Sequence, residues 1–414
     1  MEHTREAVLV GERRPRRVVR RSTSDLDRSW SGRWWLPLAI FAAVGACVWV
    51  AVWFGNTHLV HDSFFPSRPG IAGGTVFEGW QRWDAEWYRS IVRDGYVYYP
   101  RVQSSVAFWP SYPVVVKLLS WAFPSVYITG SIVTLACGAI AAVVLDRWAR
   151  VFVAPSVALL AVALLCVYPY SYYLYGAVYA DALFIAATIG AFLLVERDHM
   201  FWAGVVGIVA SAGRPAGMIV AVVLVLRVLE RRNTADGPVP FLRRFDPRGA
   251  RRSDLPVLLA FGGVGAWCAY LWVRYGDPFL FVTIEKAWSQ GAGPSTWLKY
   301  QLLNDLQHHP LWPSTIGNCV QAVLVTGCLL LAPLVKRRFG WAYALYVLGV
   351  VALPLIGTKD FMGGGRYLLG AFPCFVVVAE ALSTRRRLAW VVLPTSMAAL
   401  LVLAALFGRG SYIS

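Results

Sequence analysis

The feature that most constrains this chain is a series of long apolar runs separated by short arginine-rich clusters. Hydrophobic residues make up 57% of the 414 residues, and charged residues only 15%. A soluble globular chain is closer to half apolar and one quarter charged. Inside lipid every backbone N–H and C=O must be paired within the protein, so apolar runs of spanning length fold as helices. The composition therefore predicts an all-α polytopic membrane protein with about ten or eleven transmembrane helices.

The basic residues indicate how the chain is oriented. The net charge of +16 is concentrated in short clusters beside the apolar runs. Lysine and arginine in such positions favour the cytoplasmic side and contact anionic lipid. The charge is therefore explained by membrane lipids as partners, and no nucleic-acid partner is expected. The pattern predicts a multi-pass protein of the plasma membrane with a cytoplasmic N-terminus.

This orientation divides the chain into regions. Residues 1–33 are expected to form a disordered basic tail in the cytoplasm, and residues 34–407 a single transmembrane domain. Two polar, aromatic-rich loops, 55–125 and 275–314, fall on the outer face, as does a short tail at 408–414. The first loop is expected to contain short amphipathic helices, because FWPSYPVVVKLLSWAF has helical apolar spacing but is too short to span.

The predicted spans follow from the apolar runs and their flanking charges. The run 200–229 lies between two basic flanks, which requires an even number of crossings, and Gly213-Arg214-Pro215 interrupts it. Proline breaks a helix, so two short helices that turn near Arg214 are predicted; a single tilted helix is the alternative. The other predicted spans are 34–54, 126–146, 152–168, 178–195, 255–274, 316–334, 340–356, 367–383 and 388–407.

The strongest catalytic candidate is Asp84 in the first outer loop. On a helix that starts near Trp83, Trp87 and Ile91 share an apolar stripe, and Asp84 and Tyr88 share the adjacent face. An acid flanked by tryptophans at a membrane surface can have a raised pKa and act as a general base. The alternative is that Asp84 only caps this helix, as aspartate often does.

A second set of candidates lies at the outer ends of later spans. Asp181 is costly in lipid, where acids are usually functional or paired; a helix-end residue in contact with water is the alternative. Arg214, and Lys359, Asp360 and Arg366 beside three glycines, place cations on the outer side against the general trend. A phosphate ligand would explain them through charge-assisted hydrogen bonds. The alternative is a salt bridge to Asp181 or another carboxylate.

Metal sites are weakly indicated. His58, His61 and Asp62 resemble a metal cluster, but no further strong ligand has diagnostic spacing. Asp84 and Glu86 form a loose variant of a D-x-D motif, which leaves a divalent cation as an alternative. No metal site and no cofactor are expected.

Several motifs resemble a known family in the same order along the chain. WDAEWY, DGY and AFWPSYP in the first outer loop resemble the GPI mannosyltransferase II family and its bacterial relatives, which belong to the GT-C superfamily of glycosyltransferases. PYSYYLYGAVYADALF, AGRPAG and GRYLLGAFPCF resemble the same family further along. The chain departs from it at Trp109, where relatives often have Phe, and at Asp181, where Glu is common. These departures leave the acceptor undecided.

The resemblance implies a GT-C-type fold and a reaction on the non-cytoplasmic face. Members transfer a sugar, usually mannose, from a polyprenyl-phosphate donor with inversion, and the first-loop acid, here Asp84, is the expected base. Arg366 and Arg214 are then expected to bind the donor phosphate, and the acceptor to be a lipid-linked or envelope glycan. Lys359, Asp360 and Asp181 are expected to contact substrate, together with the aromatic residues Trp83, Trp87, Tyr88, Trp109 and Tyr112.

Two other functions remain as alternatives. A lipid-linked sugar flippase would place polar residues near the midplane of several helices and often shows internal repeats. This chain instead concentrates its polar residues towards one face, which favours surface chemistry. A non-catalytic scaffold subunit of an envelope-assembly complex is the second alternative, and the presence of Asp84 argues against it.

Overall fold

The computed structural model describes residues 35–61, 74–123, 125–288 and 293–413, and within these ranges the secondary structure is entirely helical. The α-helices in chain order are α1 (Leu36–His58), α2 (Gly74–Glu78), α3 (Asp84–Asp94), α4 (Ser111–Leu119), α5 (Val126–Ala149), α6 (Pro155–Val167), α7 (Asp181–Glu196), α8 (Met200–Ser211), α9 (Ala216–Asn233), α10 (Gly262–Tyr275), α11 (Leu280–Ile284), α12 (Pro294–Trp297), α13 (Tyr300–His308), α14 (Pro313–Phe339), α15 (Trp341–Gly357), α16 (Gly364–Tyr367), α17 (Phe372–Ser383) and α18 (Arg386–Gly408). Short 3-10 helices are Ser105–Ala107, Ser120–Ala122, Ser171–Leu174, Leu242–Phe245, Pro247–Gly249, Arg252–Phe261, Glu285–Trp288 and Leu368–Gly370.

Several of these helices have the length and apolarity of membrane spans. In the described ranges, five segments could each cross a membrane: α1, α5, α14, α18 and the continuous unit Arg252–Tyr275. Gly364–Gly370 and α17 together form a sixth candidate that is bent by 82°. Helices α6, α8 and α15 are shorter but apolar. The predicted all-α polytopic class is therefore confirmed. The predicted basic tail at 1–33 lies outside the described residues.

Ion pairs at the two ends of α7 show the relative directions of the central helices. Asp181, at the start of α7, pairs with Arg214, which comes just before α9. Glu196, at the end of α7, pairs with Arg227 near the end of α9, at 2.6 Å. Helices α7 and α9 are therefore parallel, and α8 returns between them. The predicted break at Gly213-Arg214-Pro215 is confirmed, because α8 and α9 are separate helices.

The end of the bundle that contains Glu196, called the basic end here, also receives the ends of other helices. The indole of Trp148 in α5 donates to the hydroxyl of Tyr343 in α15, which in turn donates to Glu196 at 2.9 Å. Arg338 in α14 pairs with Glu380 in α17 at 3.3 Å. Asp181 is fifteen residues from Glu196 along α7, which places it about 22 Å away at the opposite end.

Residues 168–180 connect the predicted spans 152–168 and 178–195. They form no α-helix, and from Tyr170 onward they are buried among the helices. The ring of Tyr175 stacks on Phe41 of α1 at 4.6 Å, and the hydroxyl of Thr134 in α5 donates to the carbonyl of Ala177 at 2.8 Å. Non-helical backbone at membrane depth is stable only where protein covers it. These contacts supply that cover, and the irregular segment begins directly after α6 ends at Val167.

The first loop contains the short helices that the sequence predicted. Helix α4 is amphipathic: Tyr112 and Val116 are buried, whereas Val114 and Leu118 are exposed. Helices α2 and α3 precede it, and α3 begins at Asp84. Asp84 and Asp181, at the start of α7, both contact Arg366, so Asp84 lies at the end of the bundle opposite to the basic end.

Candidate active site

Asp84 is the first residue of α3. Trp83 occupies the N-cap position, and no side chain forms a capping hydrogen bond there. The backbone N–H of Asp84 donates to the hydroxyl of Tyr179 at 3.1 Å, while its carboxylate accepts a hydrogen bond from Arg366 at 3.2 Å. The carboxylate is therefore directed at an arginine from a distant part of the chain, which differs from the helix-capping alternative.

Four charged residues form one group, called the acid–arginine cluster here: Asp84, Asp181, Arg214 and Arg366. The Arg366 guanidinium contacts the Asp84 carboxylate at 3.2 Å and the Asp181 carboxylate at 3.1 Å. Arg214 also pairs with Asp181. Asp181 has a relative exposure of 0%, so it is not a helix-end residue in contact with water. The salt-bridge alternative for the two arginines is present in the structure, and the cluster is neutral when all four groups are charged.

Tyrosine rings surround the two arginines. The guanidinium of Arg366 lies 5.1 Å from the ring of Tyr173 and 4.8 Å from that of Tyr179, and Arg214 lies 4.8 Å from Tyr367. Cations at such distances are attracted by the negative face of an aromatic ring. Sequence reasoning assigned no role to these three tyrosines. The tyrosine-rich run at 168–180 was a visible signal, but nothing in it showed which rings would face an arginine.

The surroundings of Asp84 change its acidity. Burial raises the pKa of its carboxyl, the Arg366 cation and hydrogen bond lower it, and the net direction is upward. A carboxylate with a raised pKa is a better proton acceptor than an ordinary aspartate. Burial also raises the pKa of the neighbouring Tyr88 phenol, so that group stays protonated beside Asp84. The Asp84 carboxylate therefore lies beside a neutral phenol.

The other predicted aromatic contacts divide into two sets. Trp87 stacks on Phe108 at 5.7 Å, and Tyr88 meets the same ring edge-on at 5.2 Å, so both line the region beside Asp84. Trp109 is only 2% exposed and packs against Phe281 in a separate hydrophobic cluster.

Tyr112 has a structural contact of its own. It is fully buried, and its hydroxyl donates to the carbonyl of Gly130 in α5 at 2.9 Å. The structure therefore places Trp109 and Tyr112 outside the acid–arginine cluster, and their predicted contact with substrate stays a prediction.

The turn before Arg366 is fixed by a buried amine that sequence reasoning missed. Lys299 donates to the carbonyls of Pro354, at 2.9 Å, and of Thr358, and burial lowers its pKa to about 8. Asp360 is buried and its carboxylate accepts from the N–H of Met362 at 3.2 Å. These contacts shape the turn in which Asp360 lies.

The remaining residues of that turn lead to the cluster. Lys359 is half-buried in the turn. Gly363 has a φ of +79°, which favours glycine. The N–H of Gly365 donates to the side chain of Gln321 at 3.0 Å. Arg366 is therefore presented by a turn that α14 and the second loop both support.

The C-terminal residues predicted as a short outer tail also support the site. The buried Arg82 guanidinium donates to the carbonyl of Gly408 through Nε at 2.9 Å and Nη2 at 2.7 Å. Its Nη2 also donates to Asn56 at 2.6 Å. The indole N–H of Trp83 donates to the carbonyl of Ser411 at 3.3 Å. The end of α18 therefore contacts the two residues that precede Asp84.

The described residues contain no group of three or more His, Cys, Asp or Glu side chains placed to bind a metal ion. Glu86 pairs with Arg89 at 2.6 Å and accepts from Tyr127, rather than facing inward with Asp84. His58 stacks on Phe54 at 5.0 Å. His61 has a ring nitrogen 2.5 Å from the carbonyl of Asn56, and Asp62 lies outside the described residues.

Comparison with known proteins found distant structural likenesses. No family model matches the chain, and no curated protein matches it. The Archaeoglobus fulgidus oligosaccharyltransferase in its apo form is similar at 13% identity and a TM-score of 0.48, over 93% of this chain and 57% of that one. ArnT from Cupriavidus metallidurans bound to undecaprenyl phosphate is similar at 16% identity and a TM-score of 0.43, over 90% of this chain and 77% of that one.

The same archaeal oligosaccharyltransferase in complex with Zn and sulfate gives 13% identity and a TM-score of 0.43, over 89% of this chain and 53% of that one. The chain thus spans little more than half the length of that protein.

Proposed function

We propose that this chain is a membrane glycosyltransferase of the GT-C type, which transfers a sugar from a polyprenyl-phosphate donor to an acceptor hydroxyl with inversion. The proposed sugar is mannose, and the proposed acceptor is a lipid-linked or envelope glycan. The observation that carries the proposal is the Asp84 carboxylate, which is half-buried, has a raised pKa and pairs with Arg366. The motif order of the first loop and the later segments supports the same assignment.

The proposed reaction is a single displacement. Asp84 accepts the proton of the acceptor hydroxyl while that oxygen attacks the anomeric carbon of the sugar. The bond between the anomeric carbon and the donor phosphate oxygen breaks, and the phosphate leaves with its electron pair. Arg366 and Arg214 stabilise the negative charge that develops on that oxygen. No metal ion takes part in this scheme.

Arg366 has two tasks in this scheme. Its contact with Asp84 holds the carboxylate in place and offsets part of the effect of burial on the pKa of Asp84. The contacts with Asp84 and Asp181 use Nη1 and Nε, and a guanidinium has five N–H donors. Further donors therefore remain for a phosphate oxygen. Arg214 would act as the second cation, with Asp181 positioning both arginines.

The proposed location of catalysis is the outer face of the plasma membrane. The acid–arginine cluster lies at one end of α7, and the arginine-rich helix ends, such as those of α9 and α14, lie at the other. Arginine clusters favour the cytoplasmic side. The cluster then faces outward, where a donor phosphate at the lipid headgroup level could reach it.

The test is transfer of radiolabelled mannose from polyprenyl-phosphate mannose to a membrane lipid extract by purified protein. Asp84→Asn removes the base and is expected to abolish transfer while leaving expression and elution volume unchanged. Asp94→Asn is the matched control, since Asp94 is an exposed acid at the other end of α3. Equal transfer by wild type and Asp84→Asn would show that Asp84 is not the base. Absence of transfer from any polyprenyl-phosphate sugar would refute the proposed function.

A further inference from the structure

A second site is indicated at the basic end, far from the acid–arginine cluster. A groove of about 380 Å³ lies between α6, α17 and α18. Its mouth contains Ser156 in the first turn of α6, Ser383 at the end of α17 and Arg386 at the start of α18. The rest of the lining is apolar or aromatic. The groove therefore has a polar mouth and an apolar interior.

The arginines at this mouth differ from the others at the basic end. Arg227 and Arg231 are buried and form ion pairs with Glu196 and Asp198. By contrast, 385–387 is a run of three exposed arginines, and none of the three forms an ion pair with a described residue. The lining of the groove includes no acid. No acid of the described residues therefore neutralises this positive charge, which is available to an anionic ligand.

The apolar interior suits a hydrocarbon chain. Leu160, Leu393 and Pro394 form its walls, and Trp390, which is 81% exposed, stands beside it. Tryptophan prefers the level of the lipid headgroups, where its ring is apolar and its N–H is hydrated. The groove thus opens towards lipid at a depth where headgroup and acyl chain meet.

We propose that this groove binds an anionic phospholipid of the leaflet at the basic end. Its phosphate accepts charge-assisted hydrogen bonds from Arg386 and the neighbouring arginines, and one acyl chain lies along Leu160, Leu393 and Pro394. Basic pockets between transmembrane helices bind anionic headgroups on the cytoplasmic side by this combination of charge and apolar surface. The proposal depends on neither the sugar donor nor the acceptor.

The experiment is native mass spectrometry of the purified full-length protein titrated with phosphatidylglycerol or phosphatidylcholine of identical acyl chains. The wild type is expected to retain phosphatidylglycerol preferentially. The double variant Arg386→Gln/Arg387→Gln is expected to bind it about thirtyfold more weakly, from the usual contribution of two arginines near an anionic headgroup. Ala389→Trp fills the groove and should weaken binding of both lipids.

Matched controls distinguish a specific lipid-binding site from nonspecific electrostatic attraction between anionic lipid and the basic end. Arg248→Gln/Arg251→Gln removes two exposed arginines of the same end that do not line the groove, and it should retain wild-type binding. Equal losses in the two double variants would overturn the proposal, as would equal binding of the two lipids by the wild type. Displacement of phosphatidylglycerol by inorganic phosphate at matched concentration would also overturn it, since the acyl chain would then contribute nothing. None of these residues belongs to the acid–arginine cluster.

Discussion

The contact between Arg82 and the end of α18 gives the sharpest prediction about how the candidate site is held together. We expect Arg82→Ala to lower both stability and turnover. The variant removes the hydrogen bonds from Arg82 to the carbonyl of Gly408 and to the side-chain oxygen of Asn56. Both acceptors belong to buried residues, and truncation removes the guanidinium donor from each of them.

The size of the expected loss in stability follows from those two acceptors. A buried polar group that loses its partner costs about 1–3 kcal/mol, so the free energy of unfolding should fall by about 2–6 kcal/mol. The effect on catalysis has a different origin. Trp83 has a φ of +55°, a backbone conformation that costs a bulky residue about 1–3 kcal/mol, and its contacts with Ser411 and Tyr412 offset that strain.

If those contacts loosen, Trp83 relaxes and Asp84 moves with it. A shift of about 1 Å in a catalytic group can reduce the rate about 10²-fold. Turnover of the folded fraction should therefore fall by up to that factor, while KM for the donor changes little, because the arginines that would bind phosphate are not part of this contact.

The assay is mannose transfer at saturating donor, normalised to the amount of protein that elutes as folded material, together with denaturant unfolding. Arg82→Lys should recover part of both quantities, because an ammonium can reach only one acceptor well. Removal of residues 410–414 should lower turnover like Arg82→Ala, with a smaller loss of stability. Arg93→Ala, an exposed arginine on α3, is the matched control. Wild-type turnover in Arg82→Ala would refute the idea that the C-terminal residues position Asp84.

Three further predictions concern titration and buried charge. The rate of transfer should decline as pH falls through a value above the ordinary aspartate range, because Asp84 must be deprotonated to act as the base. In Arg366→Gln this decline should move to higher pH, since the variant loses a cation that lowers the pKa of Asp84. A pH–rate profile in which the decline does not move would contradict this. Asp181→Asn should lower the free energy of unfolding by about 3–5 kcal/mol, because it leaves two guanidinium groups without their shared carboxylate. Arg366→Gln should lower the free energy of unfolding by less, and denaturant unfolding of both variants checks this order. Burial lowers the pKa of Lys299 from 10.5 to about 8. Between those two pH values the unfolded chain binds more protons than the folded chain, so the stability of the wild type relative to Lys299→Met should rise with pH. Unfolding of both proteins at about pH 7 and about pH 10 checks this, and a constant difference between them would contradict it.

Much of the helical layout could be predicted, because the positions of membrane helices depend on apolar runs and flanking arginines that are visible in the local sequence. Pro215 divides the run 200–229 where the sequence indicated, since a proline breaks a helix wherever it falls. The segment 168–180 could not be predicted in this way. Its tyrosines are amphipathic, and an exposed loop and a buried irregular segment have the same composition. Only the packing of α1 and α5 against it distinguishes the two.

The candidate site was predictable residue by residue but not as an arrangement. Asp84, Asp181, Arg214 and Arg366 each drew attention because a charge beside an apolar run is costly. Their pairing depends on contacts between residues up to 282 positions apart, which no local pattern encodes. The same limit applies to Trp109 and Tyr112: their motif does not show that the ring of Trp109 packs on Phe281 or that the hydroxyl of Tyr112 donates to Gly130.

The irregular segment 168–180 also bears on how the protein is made. Its rings at Tyr172, Tyr173 and Tyr179 pack against Phe407, at 5.0, 6.0 and 6.3 Å, and Phe407 lies near the end of α18. The ribosome delivers α18 after every other described helix, so this segment enters the membrane with α1 and α5 already made but before Phe407 completes its cover. Uncovered irregular backbone is unstable in lipid. We therefore expect a late rearrangement after translation ends, in which α18 docks and Phe407 first packs against Tyr172, Tyr173 and Tyr179.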